Sequence, residues 1–380
     1  MKKNILKNEG VQSLIASLIC IVLGMLIGFI VLLFINSEGA WNAIMDVIRN
    51  FFNYSRANLQ LKNFGNTLVK TVPLLLCALS VLFAYKVGLF NIGVAGQYLV
   101  GACASIFAAL AWNWGWVACI LFAIALSAVY GALVGLLKAY CNVNEVISGI
   151  MLNWIGLYTA NMILASVKEP TSPYTFHIAD VSPQSLLPNI GLDGVFANNK
   201  YVGIAIPVSI IIAILVAIIL DKTKFGYELK ATGNNKNAAK YCGMAEKRNI
   251  ILTLVIAGAL AGLGGALLYL TDYEQWQCTA SSVPGMGFNG IAAAFLGGLN
   301  PIGTIFSSYF IQHITAGGAF VDKTMYCSQI SDLISSIIIY LCGFVAFIKF
   351  AIKSGIAKSE KKKEAKAEKA SANAEKGGDK

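Results

Sequence analysis

The hydrophobic positions of this chain fall in long unbroken runs, not in the short alternations of a soluble fold. A bilayer core of about 30 Å requires roughly 20 apolar residues per helix. Runs of that order predict ten membrane spans, at 12–35, 66–85, 91–112, 115–137, 146–166, 201–220, 250–271, 287–299, 302–320 and 332–351. The run at 287–299 is short and glycine-rich, which predicts a partial helix. The first run follows Lys2, Lys3 and Lys7 and is longer than the apolar core of a signal peptide, so it reads as a retained helix. The connections at 36–65 and 167–200 are long. WNAIMDVIRNFFNY in the first has helical spacing and an apolar face, as in a helix lying along a membrane surface. Pro170, Pro173, Pro183 and Pro188 predict that the second is irregular. The fold class expected is all-α, a polytopic membrane protein of about ten transmembrane helices.

Charge sharpens this picture. The 380 residues carry 29 Lys and Arg against 19 Asp and Glu, only 13% charged, with 57% hydrophobic. A soluble domain carries about 25% charged residues. Half of the charges lie in two blocks, 221–248 and 353–380. This excludes an ordinary soluble enzyme and a disordered chain. The net charge of +10 does not imply nucleic-acid binding, because the basic residues form no folded basic domain. With the N-terminus inside, 22 of the basic residues fall on the inner side and seven on the outer. The positive-inside rule therefore places both termini in the cytoplasm of a multi-pass cell-membrane protein. The domains expected are a membrane-spanning unit over 1–352, with a charged loop at 221–249, and a low-complexity tail over 353–380 that cannot bury a core.

Polar residues inside the apolar runs are the first candidates for function. GLFNIGVAGQYLVGA (88–102) places Asn91 and Gln97 among closely spaced glycines. They are either groups lining a pathway or hydrogen-bonding partners for neighbouring helices. CNVNEVISGIMLNWIG (141–156) adds Asn144, Glu145 and Asn153. Glu145 is read as a proton relay or as an acid capping the first helical turn, and its position favours the cap. PGMGFNGIAAAFLGG (284–298) contains a literal G-x-G-x-x-G, but no βαβ unit surrounds it, so it does not bind a nucleotide. It is instead similar to the earlier segment: Phe90-Asn91-Ile92-Gly93-Val94-Ala95 against Phe288-Asn289-Gly290-Ile291-Ala292-Ala293, with one gap. Copies opening the third and eighth spans would run in opposite directions, as in an inverted repeat with a site at its interface. Asn289 joins the candidates on that basis.

The charged loop is too long for a simple connection. GNNKNAAKYCGM reads as a short helix with Asn234 or Asn235 as N-cap and Gly243 as the stop. Its exposed Lys and Tyr residues suit a docking surface. Gly24/Gly28, Gly131/Gly135 and Gly258/Gly262 are spaced for close helix packing. No P-loop motif and no metal-ligand cluster is legible. The nine cysteines form no CxxC pair; Cys278 and Cys327 both fall in outer loops, where free thiols are favoured over a disulfide. His177 and His313 read as structural.

Together, GLFNIGVAGQYLVGA, NEVISGIMLNWI, KFGYELKATGNNKNAAKYCGM and GMGFNGIAAAFLGGLNPIGTI resemble the permease subunits of ABC importers for nucleosides and simple sugars. The similarity is greatest to the longer permease of nucleoside-type systems and spans roughly residues 60–350. The resemblance implies a type II importer permease fold. It implies a cytoplasmic ATP-binding subunit docked between the sixth and seventh spans, a second permease subunit, and an extracellular substrate-binding lipoprotein. It implies no cofactor on this chain, because ATP is bound by the partner subunit. By position, Gly226, Glu228, Lys230, Ala231, Gly233, Asn234, Ala238, Ala239 and Tyr241 match the ATPase-facing segment, and Gly88, Asn91, Gly93 and Gln97 match a broken helix near the path. Ala95 stands where the family often has an acid. The uncharged path candidates fit a neutral nucleoside. Trp154, Tyr158, Phe288 and Phe295 could stack on its base. A simple-sugar permease is the alternative, and an ion-coupled secondary transporter is the rival from another class.

Overall fold

The computed structural model describes residues 9–327 without a break, then 329, 333, 334, 336, 337, 340, 341, 344, 347, 348, 350, 351, 353 and 354. Its α-helices are, in chain order, α1 (Glu9–Ile35), α2 (Ala40–Arg49), α3 (Ala57–Tyr85), α4 (Val94–Trp112), α5 (Trp116–Cys141), α6 (Glu145–Leu164), α7 (Ile178–Val181), α8 (Leu192–Val195), α9 (Ala205–Lys222), α10 (Lys224–Asn234), α11 (Lys236–Tyr241), α12 (Glu246–Tyr269), α13 (Gly285–Leu296) and α14 (Pro301–Gly317). Seven of these, α1, α3, α4, α5, α6, α9 and α12, are long and apolar enough to cross a membrane. The expected partial helix is α13, with 12 residues. Of the expected tenth span, 332–351, eleven residues are described and ten of them are helical, while nearly all of the tail lies outside the described residues.

The centre and the periphery separate by burial. In α3, α4 and α12, 89%, 83% and 67% of the apolar stretch is buried, against 28% in α5 and α9. Lipid is as apolar as leucine, so shape and backbone approach, not hydrophobicity, select the partners. The glycine pairs serve this: Gly131 and Gly135 of α5 lie against Leu254 and Ile251 of α12, and Gly258 and Gly262 lie against Ser127 of α5. No side chain fits between them.

Most helix boundaries differ from the sequence expectation by a few residues, and two of these differences matter here. The second span begins at Ala57 instead of 66, because the polar ANLQLKNFG segment continues the helix beyond its apolar part. There Asn63 and Thr67 donate to the carbonyls of Leu59 and Asn63, respectively. The third span begins at Val94, so Asn91 stands in the turn ahead of it. The amphipathic stretch at 40–49 is helical. It packs Ala40, Ala43, Ile44 and Val47 inward, with the Val47 backbone against Gly317 of α14. His313 of α14 reaches the Ile48 carbonyl, 2.8 Å away, and so ties the two helices. The 167–200 segment is largely irregular, as its prolines require, with only the single-turn helices α7 and α8 and short 3-10 turns in it. It is bound to the residues after α12 through Thr175 N–H to the Trp276 carbonyl (3.0 Å) and Cys278 N–H to the Pro173 carbonyl (2.9 Å). Cys278 and Cys327 are both free thiols.

Candidate translocation and coupling site

The chain between α3 and α4 cannot continue as helix, because Gly88 turns it through a left-handed conformation (φ 75°). Restarting a helix leaves its first N–H groups without partners, and the N-cap here, Gly93, has no side chain to supply one. Asn153 of α6 fills the gap from across the bundle. Its Oδ1 accepts from Gly96 N–H at 2.7 Å, and its Nδ2 donates to the Ile92 carbonyl at 3.0 Å. Asn91 donates to Ser80 Oγ (3.1 Å) and to Gln97 Oε1 (2.9 Å). Ser127 donates to the Gln97 carbonyl. Asn91, Gln97 and Asn153 are each at most 3% exposed. The structure thus brings three of the path candidates into one dry cluster whose hydrogen-bonding groups are spent on each other and on the broken backbone.

The other candidates lie apart. Asn144 caps α6, accepting from Val146 N–H at 2.9 Å. Glu145 pairs with Lys138 in the last turn of α5 at 2.7 Å. Asn289 is half-buried on α13. The two similar segments do meet, because Gly287 lies directly on Ala95 and leaves no space for a side chain. Trp154 and Tyr158 stack on each other at 6.1 Å on an exposed face of α6, Phe295 packs on Tyr85 and Phe90, and Phe288 is exposed.

The charged segment folds as two short helices. Thr223 caps α10, and Asn235, of the two asparagines expected, caps α11 by accepting from Ala238 N–H at 3.0 Å. Gly243 ends the unit at φ 80°. Gly226 packs on the last carbonyls of α9. Lys230 pairs with Asp221, and the Glu228 carboxylate lies 4.0 Å from Lys224. Thr232 accepts from Asn249 of α12 at 3.0 Å. Ala239 is buried, Ala231 half-buried, and Asn234, Ala238 and Tyr241 face outward, Tyr241 at 93% exposure. Gly233 is where this segment meets the bundle: it abuts the Lys86 carbonyl and Val87, and a Cβ added at Gly88 would come within 3.3 Å of the Gly233 carbonyl oxygen. The charged helices therefore bear directly on the turn that the Asn91–Gln97–Asn153 cluster holds.

Sequence reasoning passed over one group. Lys70 lies five residues into the second predicted span, yet it is one of the seven basic residues that fall on the outer side. A basic residue in an apolar span, with its partner to be named, was the signal available. The partner is Glu274, 3.0 Å away, in the segment after α12. Lys70 also sits over the Tyr273 ring, 5.2 Å from its centroid, and Tyr201 meets Tyr273 edge-on at 5.1 Å.

A family model described as "Branched-chain amino acid transport system / permease component" matches residues 63–343. The chain is similar to the nucleoside ABC transporter permease protein NupB of Lactococcus lactis, 32% identical over 93% of this chain and 96% of that one. It is also similar to the guanosine ABC transporter permease protein NupP of Bacillus subtilis, 30% identical over 90% and 97%. The glucose ABC transporter permease protein TsgB13 of Haloferax volcanii is 29% identical over 68% of this chain and 70% of its own. No solved structure matches. With seven helices among the described residues long and apolar enough to cross a membrane, and matches that run nearly from end to end, this multi-pass membrane protein belongs to the branched-chain amino acid transport system / permease component family.

Proposed function

We propose that the chain is the membrane-spanning subunit of an ATP-driven importer and that its cargo is a nucleoside. The observation that carries the reading is the match to two nucleoside-type permeases over nine-tenths of the chain, against 68% for the glucose permease. The chemistry agrees, because the described spans hold few charges. ATP is bound and hydrolysed on a separate cytoplasmic subunit, which docks on α10 and α11 at Tyr227, Lys236, Lys240 and Tyr241. A second permease subunit and an extracellular substrate-binding lipoprotein complete the system, and both termini are cytoplasmic. Closure of the ATPase pushes Gly233 against Lys86 and Val87, and the held turn carries that displacement to α4 and α6. This is alternating access driven through one rigid contact.

The assembled transporter, reconstituted in proteoliposomes, should take up labelled guanosine only when ATP and the ATPase subunit are present. Uptake without that subunit sinks the reading. A simple-sugar permease is the second reading, and the glucose relative favours it. Direct binding of guanosine, adenosine and ribose to the cognate binding protein separates the two. The ion-coupled rival needs an intramembrane carboxylate. Glu145→Gln should abolish transport under that rival and only weaken it under ours, because Glu145 pairs with Lys138 at a helix end.

A further inference from the structure

Among the described residues, Lys70 is the basic residue farthest from either end of its helix. Three elements meet around it. α3 supplies Lys70, the segment after α12 supplies Tyr273 and Glu274, and the segment before α9 supplies Tyr201. All four are half-buried, so the group is not a sealed core. Its polar capacity is largely unspent. One Glu274 oxygen takes the Lys70 contact and the other has no described protein partner. The Tyr201 and Tyr273 hydroxyls have none either, and an ammonium group carries three donors. Water satisfies such groups until a solute replaces it.

The chemistry of the four selects that solute. A carboxylate accepts hydrogen bonds and donates none, so it suits a vicinal diol, which offers two O–H donors side by side. Lys70 lies over one face of the Tyr273 ring and Lys200 over one face of Tyr201, 5.0 Å from its centroid, and the two rings stand at 82° to each other, so a planar base stacks on one ring and abuts the other. A simple anion would meet Glu274, and a purely apolar solute would leave the carboxylate unsatisfied.

We propose that Lys70, Tyr201, Tyr273 and Glu274 form a nucleoside-binding site, with Glu274 accepting from the ribose diol and the two tyrosine rings receiving the base. The site rests on the nucleoside reading above. It lies on the helix that ends at the coupling turn. From Lys70, α3 runs roughly 22 Å to Tyr85, next to the Lys86 carbonyl that abuts Gly233. A solute that competes for the Lys70–Glu274 contact therefore acts on the same helix as the charged segment.

The test is uptake by the complete transporter in proteoliposomes, comparing guanosine with 2′,3′-dideoxyguanosine. The wild type should favour guanosine by about tenfold, the worth of a charge-assisted hydrogen bond at a half-exposed site. Glu274→Gln should remove most of that preference, and Tyr273→Leu should raise the half-saturation concentration of both solutes about tenfold while keeping it. Tyr273→Phe, which retains the ring, should behave nearly as wild type, which shows that the fold survives changes there. Wild-type uptake of nucleosides with an unaltered diol preference in Glu274→Gln overturns the site and leaves the function standing. A wild-type transporter that moves no nucleoside overturns the function, and the site with it.

Discussion

Two of the polar clusters among the described residues differ in what their hydrogen bonds are spent on. The cluster of Asn91, Gln97 and Asn153 is dry, and each member is bonded to another or to the backbone of the broken α4. The cluster of Lys70, Tyr201, Tyr273 and Glu274 is half-exposed, with one ion pair and several groups facing solvent. A saturated network rigidifies and has nothing left for a passing solute. An open network costs little to leave hydrated and keeps its groups for a ligand. Polarity inside a span is therefore not by itself a mark of the path, and the degree of saturation separates a clasp from a site.

The largest expected effect breaks the clasp. Asn153→Ala strands Gly96 N–H and the Ile92 carbonyl in the interior, and should cost about 2–5 kcal/mol. Thermal unfolding of the purified protein reads this directly, and an unchanged midpoint would refute the trans cap. Gly233→Val comes next. Its side chain would overlap the Lys86 carbonyl, an overpacking worth about 1–3 kcal/mol. In the reconstituted transporter it should lower solute moved per ATP hydrolysed, and normal stoichiometry would remove this contact from the coupling path. Asn91→Leu follows, at about 1–3 kcal/mol, because Ser80 and Gln97 lose their shared partner. The smallest effect sharpens the contrast from the other side. Lys70→Met and Glu274→Gln, singly or together, should change unfolding stability by less than about 1 kcal/mol, since half-exposed pairs are screened by water. A loss as large as that of Asn153→Ala would make the second cluster another clasp.

The spans were legible because a bilayer demands length and apolarity that local sequence displays. The short helix at 236–241 was legible for a similar reason: its Asn235 cap and Gly243 stop act within a few residues. The roles of Asn91 and Asn153 were not, because Asn153 caps a helix that begins 59 residues earlier in the chain. Lys70 escaped because its partners, Glu274 and Tyr273, lie about 200 residues away and carry no motif. Asn144 and Glu145 were readable as a helix start, and the structure gives them such neighbours.

The sequence by itself determined that the chain crosses a membrane many times, where most of those crossings lie, and that a short capped helix stands between Asn234 or Asn235 and Gly243. Those features depend on hydrophobic transfer and on local hydrogen bonds, both of which act over short stretches of chain. Tertiary structure alone decided which polar groups are spent and which remain open, and that Gly233 abuts the turn before α4. Saturation and contact depend on residues far apart in sequence, brought together when α3, α4, α6 and α12 pack.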